Sequence, residues 1–157
     1  VIREATPADV PVIASLIREL AEYEREPDAA VATEADLRAA LFGESPNVFC
    51  HLAELDGEPV GFALWFLNFS TWVGKHGIYL EDLFVRPQAR GTGLGKALLT
   101  TLIDIARERG YGRVEWAVLN WNEVAQGFYR SLGARPMDDW TVWRLGDDVL
   151  GRQPDDR

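Results

Sequence analysis

Apolar residues recur along this chain in two rhythms, and their alternation predicts a mixed α/β domain. Val1-Ile2-Arg3 has the composition of a short first strand. Thr6-Pro7-Ala8-Asp9 then supplies an N-cap, a proline at the first helical position and an acid in the first turn. Val10, Ile13, Ala14, Ile17, Leu20 and Ala21, spaced by three and four, predict a first helix running to about Tyr23. Residues 24–32 form a polar loop, after which Thr33 with Asp36 three positions on announces a second helix carrying Leu37 and Leu41. Two strands, over 48–55 and 60–69, flank the hairpin dipeptide Asp56-Gly57. Residues 71–77 read as a mobile connection. A strand over 78–85 leads to a helix whose face is Leu94, Ala97, Leu98, Thr101, Leu102 and Ile105, stopped by Gly110. A strand over 114–119, a helix over 122–132 with Val124, Phe128 and Leu132 as its core stripe and Gly133 at its end, and a last strand over 140–145 complete the order. Strand, helix and strand across 78–119 make a βαβ unit, so those two strands should run parallel with a right-handed crossover.

The junction between strand 78–85 and its helix carries the most specific signal. Gln88-Ala89-Arg90-Gly91-Thr92-Gly93-Leu94-Gly95-Lys96 places three glycines in five residues at a helix entrance, where backbone N–H groups and the helix dipole favour an anion such as a pyrophosphate. A Walker loop would need Gly at 90 and Ser or Thr at 97, where Arg90 and Ala97 stand. The dinucleotide fingerprint would need a glycine at 96, where Lys96 stands.

Composition narrows the function further. The 157 residues suit one domain, 1–157, with about 147–157 as a polar tail. No apolar run is long enough to span a bilayer, and the cytoplasm is the expected setting. A net charge of −9 argues against a nucleic-acid partner and suits cationic small molecules. Cys50 is the sole cysteine and sits in an apolar run, which points to a buried thiol rather than a nucleophile. His51 and His76 are too few for a metal set, so no metal is expected.

The motif Gln-x-x-Gly-x-Gly after a strand resembles the acyl-CoA loop of the GNAT-type N-acetyltransferases. The run Tyr79-Leu80-Glu81-Asp82-Leu83-Phe84-Val85, with Trp121-Asn122 and Phe128-Tyr129, is similar to the diamine (spermidine/spermine) and thialysine branch. That resemblance implies a single-domain fold with a mixed, mostly antiparallel sheet whose parallel pair splays to bind acetyl-CoA, flanked by about four helices. It implies that Leu83, Phe84 and Val85 offer backbone groups to the pantetheine arm. Gln88, Arg90, Gly91, Thr92, Gly93, Leu94, Gly95 and Lys96 would hold the pyrophosphate, and Asn122 with Ala125 would also face the cofactor. Tyr129 would return a proton to the departing thiolate, and Tyr23, Glu24, Glu115 and Trp116 would line the amine site, beside Glu81 and with Asp82 as a structural or amine-attracting carboxylate. A homodimer is the expected assembly by the same likeness. Met137-Asp138-Asp139-Trp140 is shorter than the acidic segment of the polyamine branch, with Asp138 as a partial substitute.

The chemistry asks for a free amine, a polarised carbonyl and a proton for the thiolate. An alkyl amine has a pKa of about 10.4 and arrives protonated, so a base is required. Glu81 interrupts an apolar strand, which is costly unless it meets a wet cleft, and it is the candidate base, directly or through water. A structural pairing with a nearby Arg or Lys is its alternative role. Acetylation of a small cationic amine by direct attack is therefore the leading expectation. A protein N-terminal or lysine acetyltransferase and a non-catalytic acyl-CoA-binding module are the alternatives.

Overall fold

A computed structural model describes residues 1–151, which form two compact units, Val1–Leu119 and a second that starts at Asn120. In the first unit, β1 (Ile2–Glu4), β2 (Phe49–Leu55), β3 (Glu58–Ser70), β4 (Lys75–Val85) and β5 (Val114–Glu115) form one sheet in sequence order. Each neighbouring pair is antiparallel except β4 and β5, which run parallel as the βαβ reading requires. Helices α1 (Val10–Tyr23) and α2 (Glu34–Phe42) pack together, and α3 (Leu94–Arg109) joins β4 to β5.

Local chemistry accounts for most boundaries. The Thr6 backbone N–H and hydroxyl both donate to Asp9, and Arg3 clamps the same carboxylate, so the entrance to α1 is fixed by one buried acid. The Thr33 and Asp36 capping box opens α2 as expected. Asp56 and Gly57, with φ of 53° and 81°, make the tight turn that joins β2 to β3. Gly110 ends α3 in the left-handed region at φ 72°.

The sheet separates two cores. Residues paired across antiparallel strands share a face, so Cys50 with Leu64, and Leu52 with Phe62, point together. These four, with Phe84, pack under Val10, Ile13, Leu16 and Leu20 of α1 and Leu37 and Leu41 of α2. The opposite face carries Trp65, Ile78 and Leu80, all buried, on the side that α3 covers with Leu98, Leu99 and Leu102. Leu16, absent from the predicted stripe, is fully buried while Ile17 is only partly so, a small rotation of the α1 face.

Four sequence expectations need correction. Residues 71–77 are no mobile connection: Lys75 already pairs with Ser70, and only a short turn joins β3 to β4. The strand expected over 114–119 pairs only through Val114 and Glu115. The strand expected over 140–145 does not form, because alternation alone cannot supply a pairing partner. In the second unit, α4 (Glu123–Ser131) does not bury the expected stripe of Val124, Phe128 and Leu132, since Val124 is 83% exposed. A helical turn, α5 (Asp147–Leu150), lies in the stretch expected as a polar tail, and positions 152–157 lie outside the described residues.

Candidate active site

An irregularity in β4 builds the centre of the site. Asp82 pairs with Leu64 and Leu80 with Trp65, so Glu81 is an extra residue, a β-bulge, between two paired positions. The bulge reverses side-chain parity. Ile78 and Leu80 face α3, yet Asp82 and Phe84, at the same even spacing, face α1. Without it Asp82 would enter the α3 core. With it, the carboxyl lies in a row with Leu64 and Cys50, beside the end of α1 that carries Tyr23 and Glu24.

The acids there act on one another. Burial, with Glu81 and then Glu24 adding, pushes the Asp82 carboxyl up to about 7. Glu24 is raised by burial first and by Glu81 second. The Tyr79 phenol is raised by burial, then by Glu81 and Glu115, which places that hydroxyl in the same acidic field. Cys50 is pushed up to about 12, mainly by burial, and is inert as a nucleophile at neutral pH. The structure thus divides the two adjacent acids: Glu81 is exposed at the bulge, whereas Asp82 is half-buried with a proton near balance at neutrality. The sequence marks Glu81 as the base and Asp82 only as a structural or amine-attracting carboxylate. Two consecutive acids in an otherwise alternating strand were the available signal for the bulge.

Beyond Tyr79 and Glu115 no strand among the described residues pairs with β4 on its β5 side. Arg86 donates its N–H to Val60 at 2.8 Å, so by alternation Phe84 also turns its backbone to β3. Leu83 and Val85 turn theirs to the open edge. The expected trio therefore divides: Leu83 and Val85 present backbone groups there, while Phe84 contributes a buried ring below.

At the end of β4, Arg86 grips Glu19 of α1 at 2.9 Å and donates to the Pro59 carbonyl at 3.3 Å, which fixes where the glycine loop starts. Gln88 is exposed and Ala89 buried in a single 3₁₀ turn. Gly91 and Gly93 adopt φ of 80° and 82°, and a Cβ placed on either would meet nothing within 4 Å. These glycines serve backbone conformation and leave open space above them. The Thr92 hydroxyl donates to the Ala89 carbonyl and braces the loop. No side chain caps α3, so the N–H groups of Leu94, Gly95 and Lys96 at its first turn remain for an anionic group. Loop and open edge both fit the pyrophosphate and amide-rich arm of acetyl-CoA.

The remaining candidates lie on β5, just after it, and in the second unit. Glu115 lies opposite Tyr79 in the parallel pair and forms an ion pair with Arg113 at 3.4 Å, and Trp116 is half-buried. Within the second unit, the Asn122 side chain accepts from the Ala125 N–H at 3.2 Å and so caps α4. Ala125 and Tyr129 follow on the same side at a spacing of four, and the Tyr129 ring tilts against Phe128 at 5.5 Å. Among the described residues, no group of His, Cys, Asp and Glu is arranged to hold a metal, and no helix is long and apolar enough to cross a membrane.

Comparison with known proteins bears on this arrangement. The model of the acetyltransferase (GNAT) family matches residues 13–134, running from the first unit into the second. The thialysine N-epsilon-acetyltransferase of Bos taurus is 41% identical over 150 residues, covering 90% of this chain and 88% of its own. The L-ornithine N5-acetyltransferase NATA1 of Arabidopsis thaliana is 34% identical over 95% of this chain and 85% of its own. Among solved structures, an integron cassette protein from the mobile metagenome of V. cholerae superposes with a TM-score of 0.80 at 28% identity, covering 96% of this chain and 94% of its own.

Proposed function

Because this chain belongs to the GNAT acetyltransferase family and is an N-acetyltransferase, we propose that it acetylates the side-chain amine of a small, lysine-like cationic substrate. The observation that carries the reading is the carboxyl cluster at the β4 bulge, where Glu24, Glu81 and Asp82 share one field beside the Tyr23 ring and the open edge of β4. A substrate with two positive centres suits such a cluster, because one amine can be held by charge while the other reacts. The relatives named for thialysine and ornithine support an amino acid with a second amine over a polyamine.

Acetyl-CoA would supply the thioester. Leu83 and Val85 would hold its arm by backbone hydrogen bonds, and the Gly91, Gly93, Leu94, Gly95 and Lys96 backbone would hold its pyrophosphate. Asp82, balanced near neutrality, accepts the proton of the incoming ammonium, with exposed Glu81 as the relay toward solvent. Direct attack fits the inert Cys50. Tyr129 is the group proposed to return a proton to the thiolate. The family likeness also supports a homodimer.

A panel of thialysine, L-ornithine, L-lysine, putrescine and spermidine, run against a monoamine of similar length that carries no second charge, with thiol release as readout, tests this. Substrates with a second positive centre should lead in kcat/KM by about tenfold or more. A preference for the monoamine removes the reading.

A further inference from the structure

One cation already occupies this acidic corner. The Arg90 guanidinium lies 4.7 Å from the centroid of the Tyr23 ring and 5.8 Å from that of Phe84, and Arg90 Nε donates to the Val85 carbonyl at 3.0 Å. The contacts with Val85 and Tyr23 each use a group that a substrate needs. Val85 turns that carbonyl to the edge where an amide-rich arm would pair. The Tyr23 ring, next to Glu24, is the aromatic surface that a cationic chain would cover. Arg90 therefore competes with both substrates at once.

We propose that Arg90 is a latch between the two subsites: resting on Tyr23 and Val85 it stands in for the cationic amine, and a pyrophosphate on the glycine loop draws it away, so that acetyl-CoA binding opens the amine site. The proposal rests on the amine chemistry above. Arg90 belongs to the glycine loop itself, immediately before Gly91, so the anion and the guanidinium are held on one short segment. The exchange is downhill for the arginine. A guanidinium–phosphate pair joins two full charges and can be bidentate, whereas the contacts it leaves are a single bond to an uncharged carbonyl and stacking on the half-buried Tyr23 and the buried Phe84 rings. Binding should then be ordered, with the coupling equal from either side.

Calorimetry with L-ornithine, in the absence and presence of saturating CoA, reads the latch without turnover. In the wild type CoA should tighten ornithine about tenfold, and ornithine should tighten CoA by the same factor. Arg90→Met should bind ornithine without CoA as tightly as the wild type does with it, bringing the ratio near one. Arg90→Lys, which keeps the charge but loses the planar group and the Nε donor, should retain CoA binding with a reduced ratio. Wild-type coupling in both variants, or weaker ornithine binding by Arg90→Met without CoA, overturns the latch while leaving the acetyltransferase reading intact. No acetylation of any cationic amine in the earlier panel overturns the substrate reading and the latch with it.

Discussion

Asp82 keeps its proton to about pH 7 because the bulge carries it into a half-buried place already facing two other carboxylates. That costs stability. An unfolded chain releases this proton near the ordinary value of 3.8, so the contribution of Asp82 to stability is complete below that pH and is lost as pH rises to about 7. Asp82→Asn should therefore raise the melting temperature at pH 7.5 by a few degrees, about 1 kcal/mol for a domain of this size, with the gain vanishing below pH 4. The same variant should lose about 10²-fold or more in kcat, since an amide accepts no proton. Thermal scans at the two pH values with steady-state rates check both; a destabilised or fully active variant would return Asp82 to a packing role.

At the scale of elements, the glycine loop and α3 separate backbone needs from ligand needs. Gly93 sits at φ 82°, so any side chain there adds about 1–2 kcal/mol of strain and confuses a binding test. Gly95 is free of that constraint: a Cβ there meets only Val85 Cγ2, at 3.9 Å. Gly95→Glu places a carboxylate in the first turn of α3, which favours the helix and opposes the pyrophosphate. Acetyl-CoA affinity should fall by at least about tenfold while the melting temperature holds or rises, as calorimetry and thermal scans would record. Most elements were legible because their signals are local: a capping box at Thr33, a tight turn at Asp56-Gly57, a left-handed stop at Gly110. The strand over 140–145 misled because alternation shows a face but never a partner. Glu81 was legible as a polar break in an apolar strand, whereas the burial of Asp82 was not, since it depends on a parity reversal set by the register with β3.

Over the whole molecule, a charge of −9 with carboxylates concentrated at the site should speed the encounter with cationic amines. Raising ionic strength from about 0.01 M to 0.15 M shortens the screening length from about 30 Å to 8 Å. kcat/KM for L-ornithine, whose two positive centres are partly offset by a carboxylate, and for a monoamine with a single positive charge should each fall less than that for putrescine. Equal salt dependence for all three would mean that net charge serves solubility alone.

The margin of β4 from Leu80 to Val85, which no strand among the described residues pairs, has a consequence for handling the protein. An exposed strand edge is a template for other chains, and unliganded protein concentrated in solution is at risk of edge-to-edge aggregation. An amide-rich arm laid along that margin would act as a protective last strand. Adding CoA at 100 times its dissociation constant should stabilise the fold by about 2.7 kcal/mol and suppress turbidity in concentrated samples, so the cofactor itself is the excipient that this edge calls for.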